Sequence, residues 1–142
     1  PEGIVLSNGP GNPEDVRGAA ENLRSLLGWK PVFGICMGHQ ILSRALGGRT
    51  YKLKYGHRGS NHPIKDDILS QIYMTSQNHG YAVDEGSLPS GVRVTHRNLN
   101  DQTVAGIEYK EKKVFSVQFH PESHPGPHDS VNLFDYFVKQ IK

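Results

Sequence analysis

The nine residues Val32-Phe33-Gly34-Ile35-Cys36-Met37-Gly38-His39-Gln40 constrain this chain more than any other segment. A short apolar run, Val32 to Ile35, passes without a linker into a helical pattern at Ile41, Leu42, Ala45 and Leu46, which Gly47-Gly48 ends. Apolar positions three and four apart mark one face of a helix, and a short apolar run bounded by glycine suits a buried strand. A strand that enters a helix through a single residue must turn sharply. The pattern G-x-C-x-G puts a glycine two residues either side of that turn, where neighbouring backbone must pass close. The segment therefore reads as strand, elbow and helix, with Cys36 at the apex.

The residues before it repeat the same alternation. Ile4 to Ser7 reads as a strand, and its apolar character is that of a strand covered on both faces. The turn-rich stretch Asn8-Gly9-Pro10-Gly11 follows. Asn12 suits an N-cap, Pro13 the first helical position, and Val16, Ala20, Leu23 and Leu27 recur at helical spacing up to Gly28. Strand, helix, strand, helix with tight connections predicts an α/β domain with a largely parallel sheet. The middle differs: Thr50 to Tyr55, Gln71 to Thr75, Val92 to His96, Val104 to Tyr109 and Val114 to Phe119 all read as strands, so part of the sheet is expected to be antiparallel. The last element, Val131 to Ile141, sets Phe134, Phe137, Val138 and Ile141 on one helical face expected to meet the sheet. No repeat or linker divides the 142 residues, which read as one domain.

A lone cysteine is most often a small buried hydrophobe. At an elbow, however, the sulfur lies near a helix N-terminus, whose partial positive charge favours thiolate. The amide of Met37 would then face an oxyanion on an attacked carbonyl. Of eight histidines, His120 suits the base, because it follows the strand Val114 to Phe119 and so lies at a sheet's end. Glu122, two residues on, would orient its imidazole. His120, His124 and His128 also fall four apart, but Pro121, Pro125 and Pro127 exclude the continuous helix that a metal site at that spacing needs, so no metal is expected.

Charge narrows the partners. The net charge of +2, with scattered lysines and arginines, gives no reason to expect nucleic acid or a membrane surface. Apolar runs are too short to span a bilayer, and one cysteine allows no internal disulfide, which fits a cytoplasmic setting.

Gly34 to Gln40 together with Phe119-His120-Pro121-Glu122 resembles the class I, or triad, glutamine amidotransferases. Leu6 to Pro13, Tyr55 to Pro63 and Thr75 to Val83 are similar to the small chains of carbamoyl phosphate synthases, as is Ser123 to Asp129. The resemblance implies a flavodoxin-like, open, mostly parallel sheet flanked by helices. It implies that L-glutamine is hydrolysed through a thioester on Cys36, with His120 moving protons and Glu122 supporting it. By the same resemblance the amides of Gly11 and Met37 form the oxyanion hole. Gly9, Gly11, Gln40, Asn78, Gly80 and Tyr81 hold the amino-acid end of glutamine, with Asn78-His79-Gly80 read as a turn. Ammonia would pass to a large synthetase chain that carries bicarbonate, ATP and metal. Gly9-Pro10-Gly11 lacks the lysine and Ser/Thr of a phosphate loop, so no cofactor is expected in this chain. The resemblance also implies strand and helix units preceding Pro1 that supply one glutamine contact and much of the large-chain interface. Met37, Asn12 and Ser123-His124 stand where leucine, aspartate and Ala-Ser are commoner in that family. The alternatives are the amidotransferase of a GMP synthetase or anthranilate synthase, a γ-glutamyl hydrolase or cysteine peptidase of similar fold, or a non-catalytic module.

Overall fold

The computed structural model describes residues 1–122 and 132–142. His124, His128 and the rest of Ser123 to Asp129 lie outside the described residues, as does the start of the last predicted helix at Val131. The strands are β1 (Ile4–Leu6), β2 (Val32–Ile35), β3 (Arg49–Asp66), β4 (Gln71–Asp84), β5 (Arg93–Asn98), β6 (Val104–Tyr109) and β7 (Val114–Val117). The α-helices are α1 (Ala19–Arg24), α2 (Met37–Ala45) and α3 (Asn132–Ile141). Among the described residues seven strands form one sheet in the order β1-β2-β7-β6-β5-β3-β4.

The α/β class and the mixed sheet agree with expectation, but the balance of directions does not. Only β1–β2 and β2–β7 pair in parallel, while β7–β6, β6–β5, β5–β3 and β3–β4 are antiparallel. The consecutive strands β5, β6 and β7 pair antiparallel, and so does the β3–β4 hairpin, whose strands run to 18 and 14 residues where two short strands were expected. Register shifts between Lys52 and His57 and between Gly59 and His62 carry β3 through a stretch rich in glycine and histidine. Among the described residues β1 lies at the sheet's edge, with Val5 55% exposed.

All four residues of both β2 and β7 are buried, and their side chains alternate between two cores. Val32 and Val114 meet Leu42, Ala45 and Leu23 beneath α1 and α2. Phe33, Ile35, Phe115 and Val117 join Leu133 and Phe137 of α3 on the other face. Phe33 stacks on Phe115 at 5.1 Å and meets Phe137 at 5.2 Å between ring centroids. Fully burying one such aromatic contributes about 1.5–3 kcal/mol, so this cluster anchors α3.

Two helices depart from their sequence patterns. Asn12 caps as expected, accepting from Glu14 N at 3.0 Å, but only a single 3-10 turn, Pro13–Asp15, follows. Gly18 in the left-handed region (φ 74°) then separates it from α1. In α3 the buried residues are Leu133 and Phe137, with Phe134 and Ile141 partly buried, whereas Val138 is 44% exposed.

Candidate active site

The elbow is built by close packing. Cys36 takes φ 54°, ψ −106° at the N-cap of α2, a conformation that costs a non-glycine residue on the order of 1–3 kcal/mol. Its amide donates to Val117 O at 2.9 Å, and its carbonyl accepts from Gln40 N at 3.1 Å. The flanking glycines are steric necessities. A Cβ on Gly38 would lie 2.1 Å from Leu6 O, and one on Gly34 would lie 2.7 Å from Gly38 O. Sequence therefore sets the strained turn: β1, β2 and α2 come together only if both positions lack side chains.

Cys36 is 3% exposed, and its sulfur lies 3.8 Å from Gln118 Nε2 and 3.9 Å from Asn78 O. His120 follows β7 as expected, and its amide donates to Ser76 O at 3.0 Å, tying it to β4. Its Nδ1 meets Glu122 Oε1 at 2.9 Å. The neighbouring Cys36 thiol and then the Glu122 carboxylate push the His120 pKa up to about 10, against the opposing effect of burial. Burial would raise the Glu122 carboxyl, but its bond with His120 outweighs this and holds it below the usual carboxylate range. The three residues form a continuous Cys-His-Glu arrangement.

A cavity of about 330 Å³ opens beside Cys36 and His120. Of the residues expected to bind substrate, Gly9, Gly11, Gln40, Asn78 and Gly80 line it. Gly11 needs to be glycine for its backbone, at φ 92°, since nothing lies within 4 Å of its Cβ position. Met37 and Tyr81 are not among the lining residues. Met37 is the first residue of α2 and is buried, its side chain against Gly9. Tyr81 contributes through its carbonyl, which accepts from Gln40 Nε2 at 2.9 Å and His79 Nδ1 at 2.7 Å. Gln40 also donates to Gln118 Oε1 at 3.1 Å, so the helix side chain is fixed from two strands.

Asn78-His79-Gly80 is not a turn but part of β4, paired to β3 with His57 opposite His79 and Arg58 opposite Asn78. Asn8, Pro10, Arg58 and His79 also line the cavity and were missed by sequence reasoning. The first two adjoin the expected glycines and could have been included on that ground. Arg58 reaches the cavity only through hairpin register, which carries no local signal. Among the described residues, no group of three or more His, Cys, Asp and Glu side chains is arranged to hold a metal ion. Nor is any helix among them long and apolar enough to cross a membrane.

The sequence model of the family described as glutamine amidotransferase class-I matches residues 1–140. The chain belongs to this family. Two amidotransferase-fold structures share its architecture. A putative GMP synthase subunit from Thermoplasma acidophilum gives a TM-score of 0.84 at 21% identity, covering 99% of this chain and 72% of that one. A glutamine amidotransferase from Thermotoga maritima gives 0.69 at 20% identity, covering 99% and 66%. At these identities the likeness establishes the fold alone.

Sequence relatives are much nearer to this class-I amidotransferase. The carbamoyl phosphate synthase small chain of Clostridium acetobutylicum is 60% identical over 139 residues, covering 97% of this chain and 40% of that protein. The chloroplastic small chain of Arabidopsis thaliana is 54% identical over 142 residues, covering all of this chain and 33% of that protein. The chain thus spans two fifths or less of the length of these relatives.

Proposed function

We propose that this chain hydrolyses L-glutamine to glutamate and ammonia through a thioester on Cys36, and that the ammonia feeds carbamoyl phosphate synthesis on a large synthetase chain. The observation that carries the reading is the strained Cys36 facing His120–Glu122 across a cavity lined by Gln40, Asn78 and Gly80. Relatives named as carbamoyl phosphate synthase small chains, at 54–60% identity, support the choice of acceptor.

The chemistry follows from the geometry. Cys36 sulfur, its proton already resting on His120, attacks the side-chain amide carbon of glutamine, and the carbonyl electrons move onto oxygen. The amides of Met37, at the start of α2, and Gly11 stabilise that oxyanion, a role in which one donor is worth about 100- to 1,000-fold in turnover. His120 holds a proton up to about pH 10, so the acid is ready when substrate arrives. It passes that proton to the amide nitrogen as the C–N bond breaks, and ammonia leaves the thioester behind. Having given up that proton, and with the Cys36 influence that chiefly raised its pKa removed by acylation, the imidazole is left neutral and free to accept a proton. It then takes a proton from water as the water oxygen attacks the thioester carbon, and collapse expels the Cys36 sulfur and releases glutamate. Glu122 keeps the imidazole oriented through both halves.

The glutamine α-amino and carboxylate groups are held by Gly9, Gly11, Gln40, Asn78, Gly80 and the Tyr81 backbone. ATP, bicarbonate and metal belong to the large chain, and the complex works in the cytoplasm to supply pyrimidine or arginine synthesis. The test is to combine the full-length protein with a large chain and compare glutamine with free ammonia as nitrogen source. Carbamoyl phosphate formed from both, with the glutamine route lost in Cys36→Ser and the ammonia route kept, supports the reading. Product from ammonia alone with the unaltered protein refutes it.

A further inference from the structure

A column of hydrogen bonds and one ring-on-ring contact runs from a surface turn to the cavity without passing through the triad. It begins at Asp101, between β5 and β6. Asp101 Oδ1 accepts from Thr103 N at 3.1 Å and Thr103 Oγ1 at 2.8 Å, which fixes the turn and leaves Oδ2 to reach across the hairpin. Oδ2 meets His57 Nε2 at 2.6 Å. A carboxylate only accepts, so Nε2 of His57 carries the proton, and a hydrogen bond to an ionised group is among the stronger kinds. The other nitrogen, His57 Nδ1, lies 3.3 Å from His79 Nε2, with the two rings perpendicular. His79 Nδ1 donates to the Tyr81 carbonyl at 2.7 Å, because a carbonyl also only accepts, so His79 Nε2 carries a lone pair and the link to His57 is the edge-on packing of the two rings, 4.9 Å between centroids. That carbonyl receives Gln40 as well, and Gln40 bonds to Gln118.

The local sequence permits this column. His57 and His79 sit opposite each other in register, each 8% exposed, immediately after the β3 register shift. Gly56 takes φ 74° there, and a Cβ on it would lie 3.0 Å from His79 O and 2.4 Å from Arg58 Nη1. The shift thus aims His57 inward at His79 rather than outward. His62 braces the same bulge, its Nε2 3.0 Å from Arg58 O. Gln77 Oε1, 2.7 Å from His79 Nε2, is a further polar neighbour of that ring.

The segment that the column holds, Asn78 to Tyr81, is the cavity wall opposite the elbow. It is extended strand, and β4 lies at the sheet's edge with β3 as its one strand neighbour among the described residues. Strand pairing with β3 alone leaves the orientation of an edge segment to its side-chain ties. Here the ties converge on the Tyr81 carbonyl, where His79 and Gln40 meet.

We propose that Asp101 and His57 are positioning residues of the glutamine site: through His79 they clamp the Asn78–Tyr81 segment, and with it the Gln40 side chain, in the arrangement that receives substrate. The proposal rests on glutamine being the substrate. It predicts a defect in binding rather than in chemistry, because neither residue lines the cavity and neither touches Cys36, His120 or Glu122. Loss of one charge-assisted hydrogen bond corresponds to about tenfold or more in affinity.

The test uses the full-length protein with its large chain. His57→Phe keeps a ring of similar size, removes the hydrogen bond to Asp101 and so frees the ring that packs on His79. It is expected to raise KM for glutamine about tenfold or more while kcat at saturation stays within about twofold. Asp101→Ala is expected to do the same. Its carboxylate is 39% exposed, so this variant opens no buried hole and keeps the test available should His57→Phe fold poorly. Asp101→Asn keeps one accepting oxygen, which can serve His57 only at the expense of Thr103 and without the charge, and should recover part of the lost affinity, which a merely structural role for the turn does not predict. Thr103→Val loosens the same turn without breaking the column and should leave KM unchanged. A folded Asp101→Ala protein with unaltered KM overturns the proposal, as does a fall in kcat with KM unmoved. Failure of the unaltered protein to use glutamine at all would instead refute the glutamine reading itself.

Discussion

The two halves of the sheet solve different problems. In the parallel half, β1, β2 and β7 are short, β2 and β7 are buried throughout, and the turn they support is fixed by backbone contacts that admit no side chain. In the antiparallel half, β3 and β4 are long, β3 is mostly exposed while β4 largely alternates between buried and exposed, and both depend on bulges and side-chain hydrogen bonds for their shape. Of the residues lining the cavity, Cys36 and His120, the proposed reacting pair, come from the ends of the first half, and Asn78, Gly80 and Arg58 from the middle of the second. Rigid packing suits a nucleophile, where an error of about 1 Å is costly. A hairpin edge suits a wall that must fit a particular ligand. The contrast implies that damage to the parallel half removes chemistry, while damage to the hairpin weakens binding.

The sharpest separation is expected from Cys36→Ser, which should lower glutamine turnover by about 1,000-fold or more with the fold intact. Steady-state glutaminase assays and circular dichroism together check it. Gly38→Ala attacks the same half through packing. A methyl group 2.1 Å from Leu6 O must displace β1 or α2, at a cost of about 3 kcal/mol or more in denaturant unfolding, with activity lost alongside. A Gly38→Ala protein of unchanged stability would break the claim that the elbow is set by close approach.

Acid should test both halves at once. Burial pushes His39, beneath the elbow, down to about 3, and His79, in the hairpin, down to about 4. Below about pH 6.5 the unfolded chain protonates at these rings while the folded chain does not, so stability falls as pH falls towards 4. At about pH 5 each ring accounts for about 2 kcal/mol, and the acid loss should shrink in His39→Gln and in His79→Gln.

Smaller effects sharpen the picture. Gly56→Ala forces an L side chain into the left-handed region beside His79 and should cost about 1–2 kcal/mol, with KM for glutamine raised severalfold and thioester chemistry unaffected. Val138→Ala, on the exposed side of α3, should change stability by less than about 0.5 kcal/mol. Thermal unfolding distinguishes these outcomes.

The parallel half was the legible one. Val32–Ile35 and the elbow helix carry their structure in local pattern, since a fully buried strand is apolar at every position and the turn needs its glycines, and the apolar run Ile4–Leu6 reads as a strand although Val5 is exposed. Cys36 and His120 could be located for the same reason. The hairpin was not legible. Between Tyr55 and Pro63 the apolar alternation that marks a strand is replaced by glycine, histidine and arginine, whose placement follows cross-strand partners rather than local propensity. Asn78 to Gly80 therefore looked like a turn, and Arg58 gave no sign of reaching the cavity. The helix after Asn12 was misjudged because Gly18 breaks it, a position where propensity gave way to a left-handed residue. In α3, Leu133 took the buried place assigned to Val138, since the helix is rotated to set Phe137 on Phe33.

The central claim, that Cys36 carries the glutamyl group, is tested most directly by acid-quenching the protein during glutamine turnover and mapping adducts by peptide mass spectrometry. The account predicts a γ-glutamyl thioester on the peptide containing Cys36, labile to hydroxylamine and absent from Cys36→Ser. Glutamine hydrolysis that proceeds at an unaltered rate in Cys36→Ser, or an adduct carried by another residue, would contradict it.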